Sequence, residues 1–95
     1  MPVYRSLVIF MAEVLVALRV MPKSIETDLD ILEKKIREAI SPDRVQRNPI
    51  AFGIVAFNLI KIVPDAGGEI EKIEKELKKI EEVGGVEVTG VTRSL

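Results

Sequence analysis

"NPIAFGIVAF", Asn48 to Phe57, is the stretch on which the fold turns. Pro49 and Gly53 bracket a short turn, and beyond it the chain is almost continuously apolar from Ile54 to Val63, as in a strand covered on both faces. Before the turn, Val45 to Ile50 reads as a weaker strand whose Arg44 and Arg47 suit a sheet edge. The two make a hairpin of one central and one edge strand. For Phe52 at its tip two readings stand. The ring tucks into the edge of the core, or Pro49 and Gly53 hold a rigid projecting turn with Phe52 as the aromatic anchor for a partner's pocket.

Working outward, each side of the hairpin shows a change of period. Upstream, from Asp28, Leu29, Leu32, Ile36 and Ile40 recur at three- and four-residue spacing, which predicts a helix with one buried stripe. Thr27 with Asp30 reads as its cap, Ser41-Pro42 as its stop, and Glu33 to Arg37 as an ion pair on its wet side. Downstream, Pro64 to Gly68 punctuates the strand, and Ile70, Ile73, Leu77 and Ile80 form a second stripe, with Glu71–Lys75 and Glu74–Lys78 as outward pairs. Gly84-Gly85 reads as a left-handed terminator.

Outermost lie two more strands. Ala12 to Val20 sets Val14, Val16, Leu18 and Val20 on one face and Leu15, Ala17 and Arg19 on the other, which suits a central strand broken by "MPKS". Val86 to Val91 is a short last strand before a tail, Thr92 to Leu95. The order β-α-β-β-α-β is the ferredoxin-like split arrangement: an α+β sandwich with a four-stranded antiparallel sheet and two helices on one face. That topology puts Phe52 at one end of the sheet and the carboxyl terminus, with the Asp65–Gly68 turn, at the other, roughly 30 Å away.

Composition bounds the chemistry. Ninety-five residues, 47% apolar and 31% charged, suit one globular domain over residues 12–95. Residues 1–11 are an N-terminal extension of uncertain structure, and Met11 is an alternative start. "LVIFMAEVLVAL", Leu7 to Leu18, is interrupted by Glu13, followed by Arg19 and shorter than the ~20 residues of a spanning helix, so no membrane segment is expected. A net charge of −1 with interleaved signs gives no footprint for direct nucleic-acid binding, and the few aromatics do not suit base stacking. Without Cys, His or Trp, thiol and histidine chemistry and the usual zinc ligands are excluded.

The remaining chemical motifs have plain structural readings. Lys23 and Asn58 fall short of an acyl-phosphate hydrolase because no glycine-rich cradle accompanies them. The carboxylates of both helices lie among lysines on solvated faces. Gly67-Gly68 is crowded by Asp65, Glu69 and Glu71, which repel an anion. No catalytic constellation, metal site or cofactor is expected. Arg19 and Asn58 on the open sheet face leave one alternative, a small ferredoxin-like ligand-sensing or oligomerisation module.

"ALRVMPKS", "PIAFGIVAFN" and "GVEVTGVTRSL", at these separations, resemble the guanine nucleotide exchange domain family of elongation factor 1-beta in its archaeal branch. The resemblance runs from about Ala12 to Leu95. It implies a cytoplasmic translation factor, monomeric or weakly dimeric, that promotes exchange of GDP for GTP on the GTPase elongation factor 1-alpha and is not an enzyme of covalent chemistry. In relatives, the aromatic of the "FG" turn enters a pocket in the GTPase's second domain, which implies a partner-binding role here for Phe52, flanked by Pro49 and Gly53. The terminus approaches the GTPase's magnesium and phosphate region, implicating Arg93, Ser94 and Leu95. Eukaryotic relatives have a penultimate lysine; Ser94 holds that position, with Arg93 beside it.

Overall fold

The computed structural model describes residues 12–65 and 67–94, so residues 1–11, where an extension is expected, and Leu95 lie outside the described residues, as does the side chain of Ser94. The elements run β1 (Glu13–Pro22), α1 (Leu29–Ile40), β2 (Arg44–Pro49), β3 (Val55–Pro64), α2 (Glu69–Lys78) and β4 (Val83–Ser94). The sheet order is β2-β3-β1-β4 with antiparallel neighbours throughout, as the ferredoxin-like reading requires.

The core is the meeting of the predicted stripes. Val14, Val16, Leu18 and Val20 of β1 pack with Phe57, Leu59 and Val63 of β3, under Leu32 and Ile36 of α1 and Ile73 and Leu77 of α2. Each is at most 5% exposed, and burying such a side chain contributes about 1.5–3 kcal/mol. Alternation along β1 puts Leu15, Ala17 and Arg19 on the opposite, half-covered face.

Local details correct the sequence reading in several places. Asp28 rather than Thr27 caps α1, accepting from the Asp30 and Ile31 amides at 3.0 and 3.2 Å. At its other end the helix stops at Ser41-Pro42 as expected, with Ser41 at a left-handed φ of 46°, and Lys61 Nζ donates to the Ser41 carbonyl at 3.0 Å, a cation at the negative helix end. On α2, Glu76 pairs with Lys79 at 3.5 Å, in place of the expected Glu71–Lys75 and Glu74–Lys78 pairs.

The largest corrections concern Gly84-Gly85. Neither glycine is left-handed; α2 ends in tight turns, with Ile80 N–H donating to Leu77 and Val83 N–H to Ile80, both at 3.1 Å. The strand then begins at Val83 and runs to Ser94, twelve residues rather than the expected Val86 to Val91. A β-carbon on Gly84 would stand 2.7 Å from the Pro22 carbonyl oxygen, so glycine is required by close approach of β1, where the register shifts between Met21 and Pro22. The described part of the expected tail, Thr92 to Ser94, is therefore strand: Arg93 pairs with Val14 and Ser94 with Glu13.

Candidate functional site

The ladder fixes the two poles. Pro49 pairs with Val55 at the start of β3, while Val63, near its end, pairs with Val14, which in turn pairs with Arg93. The steps from Val55 to Val63 span roughly 26 Å, and Phe52 lies beyond them in the turn. Phe52, Pro49 and Gly53 thus share one pole; Arg93 and the backbone of Ser94 share the other.

At the first pole the turn has the geometry of a two-residue β-turn. Ile54 N–H donates to the Ala51 carbonyl at 3.1 Å, and Ile50 N–H to the Ile54 carbonyl at 2.9 Å. The two central residues, Phe52 and Gly53, both have positive φ, 56° and 78°, the combination a type I′ turn demands because its twist matches that of the flanking strands. Glycine meets that demand freely, but a bulky aromatic in the left-handed region is strained by about 1–2 kcal/mol. Phe52 recovers nothing from the core in return, being 94% exposed. The reading in which its ring tucks into the core edge is therefore excluded, and the projecting turn is the one observed.

Sequence reasoning missed two neighbours. Ile25, 65% exposed in the β1–α1 connection, and Ile50, 42% exposed, flank the tip; a β-carbon placed on Gly53 would stand 3.8 Å from the Ile25 Cγ2 methyl. An isoleucine alone in the polar run "KSIETD", outside the helical stripe, was the available signal.

The opposite pole is polar. Arg93 Nη1 donates to Asp65 Oδ2, and the Asp65 N–H donates to the Ala12 carbonyl at 2.9 Å, which anchors the acidic partner to the foot of β1. A cavity of about 220 Å³ lies between them and the first turn of α2, where Glu69 and Glu71 add negative charge. Gly67 and Gly68 have φ of 79° and 76° and form the turn, as expected. Arg93 remains exposed, so its guanidinium is an accessible cation already engaged by one carboxylate.

Elsewhere the charges stitch elements together. Arg47 on β2 reaches Asp30 at 2.6 Å and Glu33 at 3.1 Å on α1, and its guanidinium carbon lies 5.5 Å from the Phe57 ring centroid. The hydrogen bond to Asp30, followed by that to Glu33, raises its pKa. Glu33 also makes the expected pair with Arg37 at 3.1 Å. Lys35 and Glu82 join α1 to the segment before β4 through two contacts, 2.8 and 2.9 Å; the hydrogen bond between them raises the Lys35 pKa and lowers that of Glu82. On the open face Arg19 and Asn58 are cross-strand neighbours, and Arg19 leans to Glu87 at 3.8 Å. Among the described residues no cluster of three metal-ligating side chains exists, and no helix is long and apolar enough to cross a membrane.

Comparison with known proteins follows the same outline. The family described as the EF-1 guanine nucleotide exchange domain matches residues 15–93. Elongation factor 1-beta of Methanothermobacter thermautotrophicus is 41% identical over 87 residues, covering 87% of this chain and 98% of the relative. That of Methanosphaera stadtmanae is 40% identical over 86 residues with the same coverage, and that of Desulfurococcus amylolyticus 39% over 89. Among solved structures, the ACT domain from GTP pyrophosphokinase of Chlorobium tepidum superposes with a TM-score of 0.59 at 20% identity, over 80% of this chain and 97% of that one. At that identity the likeness is one of fold alone.

Proposed function

The chain belongs to the elongation factor 1 guanine nucleotide exchange family and serves translation elongation as an exchange factor; from that premise we propose how its two poles divide the work. Phe52 grips one domain of elongation factor 1-alpha, with Pro49 and Gly53 shaping the turn, and the carboxyl-terminal pole with Arg93, Ser94 and Leu95 acts on the magnesium and phosphate region. The observation that supports this reading is the displayed ring of Phe52, carried on a strained backbone, outside the core and with the exposure of an interface anchor.

Exchange on this scheme makes and breaks no covalent bond in this chain. Contacts that favour the nucleotide-free GTPase weaken GDP binding by the same factor, through linkage. Arg93 begins the encounter bound to Asp65, so it reaches the GTPase's anionic groups by exchanging one carboxylate for another acceptor. Because Arg93 and Ser94 are also rungs of the sheet, their roles are separated by point substitution rather than truncation. The same reading places the chain in the cytoplasm, monomeric or weakly dimeric, without direct contact to nucleic acid or membrane.

The test is release of labelled GDP from elongation factor 1-alpha. Stoichiometric amounts of this protein are expected to accelerate it; an unchanged rate at tenfold excess would overturn the proposal.

A further inference from the structure

Among the described residues six large apolar side chains are exposed, and three of them, Ile25, Ile50 and Phe52, stand at the hairpin pole. They come from two separate turns, each braced internally. The hairpin has its two backbone bonds. The second turn is held by Ser24 N–H to Thr27 Oγ1 at 3.2 Å, Glu26 N–H to Ser24 Oγ at 3.2 Å and Thr27 N–H to the Ser24 carbonyl at 3.3 Å. Polar residues close this turn, and its one large apolar side chain points outward. Both turns therefore spend local order on displaying an apolar group, and they meet where Ile25 approaches Gly53.

We infer that Ile25 and Ile50 form with Phe52 one continuous docking patch for the GTPase, with the β1–α1 turn contacting the partner directly. This rests on the proposed role of Phe52 and extends it to a second segment. Size selects the occupant. The patch exposes on the order of 400 Å² of apolar surface, in the range that marks interaction sites. Two copies of the chain meeting patch to patch would bury only about 800 Å² in total, the scale of a casual lattice contact and below the ~1,200 Å² of a stable pair. A GTPase held at the far pole as well needs only part of its footprint here.

The experiment measures affinity for nucleotide-free elongation factor 1-alpha with Ile25→Ser, Phe52→Ala and the double variant, after circular dichroism and thermal unfolding establish that each is folded. Phe52→Ala is expected to weaken binding about 30-fold or more. Ile25→Ser is expected to weaken it about 5–10-fold, and by a similar factor in the Phe52→Ala background, with Ile25→Leu restoring affinity. If Phe52→Ala weakens binding and Ile25→Ser does not, the docking role of Ile25 falls and the proposed function stands. If the Ile25→Ser effect vanishes in the Phe52→Ala background, Ile25 only braces the hairpin and the inference is overturned. If neither variant changes affinity, the role of Phe52 falls and the inference with it. Sedimentation is expected to show a monomer; a dimer abolished by Ile25→Ser, with GTPase affinity unchanged, would assign the patch to a second copy instead.

Discussion

Phe52 and Phe57 are five positions apart on the same hairpin and have opposite fates. Phe57 is fully buried in the core cluster that includes Leu32 and Ile36, with the Arg47 guanidinium over its face. Phe52 is 94% exposed on a backbone that suits glycine better. One ring holds the sheet to its helices, and the other adds nothing to the core while its backbone weakens the fold slightly. Burial and backbone dihedral separate the two roles, where residue identity does not.

The strongest way to break this contrast is to remove each ring in turn. Phe57→Ala is expected to lose about 3–5 kcal/mol of unfolding free energy, a large share of the ~5–15 kcal/mol typical of a domain; chemical denaturation checks it, and a loss below 1 kcal/mol would mean the core repacks. Phe52→Gly removes the displayed ring and relieves the left-handed strain, so it is expected to gain about 1 kcal/mol of stability while GTPase affinity falls by about 30-fold or more. A destabilised Phe52→Gly would show that the ring supports the fold after all.

The two arginines sharpen the same division at smaller scale. Arg93→Gln is expected to lower the maximal GDP-release rate about tenfold, the worth of one charge-assisted contact, with little change in affinity. Arg47→Gln is expected to lower stability by about 0.5–1 kcal/mol through its lost position over Phe57, leaving exchange unaltered. Stopped-flow GDP release and thermal unfolding, run on both variants, separate the roles; matching profiles would erase the distinction.

The smallest effect belongs to the Lys35–Glu82 pair. The Glu82 pKa is lowered in the fold, so its contribution is present above its ordinary value of 4.5 and is lost as pH falls through the lower folded value. Lys35, with its pKa raised, keeps its contribution below 10.5 and loses it as pH rises beyond. Glu82→Gln is expected to lower the thermal midpoint only slightly at neutral pH, since both partners are solvent-screened, and the difference should close in acid. A midpoint gap that persists in acid would place the effect in packing rather than charge.

Much of the scaffold is legible in the chain because periodicity is a local property. The stripes of α1 and α2 and the alternation of β1 hold residue for residue. Two misses were local, the cap at Asp28 rather than Thr27 and the ion pairing along α2, but the larger ones were non-local. Gly84 looks like a helix terminator until the Pro22 carbonyl is placed against it, and β4 looks short until β1 supplies its partners. At the candidate site, the position of Phe52 at a turn was readable, but its exposure was not, because either reading of the ring satisfies the same ten residues. The Arg93–Asp65 pair joins residues 28 apart, beyond any spacing rule. Ile25 stood in plain view yet gained meaning only when the second turn came to lie beside it.

The turn at Ala51–Ile54 also sets a direction for drift. A backbone that prefers glycine at Phe52 pulls against the aromatic in every generation, and under the proposed docking role it is engagement of a GTPase that resists it. In a duplicated copy released from that duty, position 52 should be among the first to relax toward glycine or asparagine, while Phe57 persists for as long as the chain folds. The ratio of change at these two sites is therefore a clock for loss of partnership.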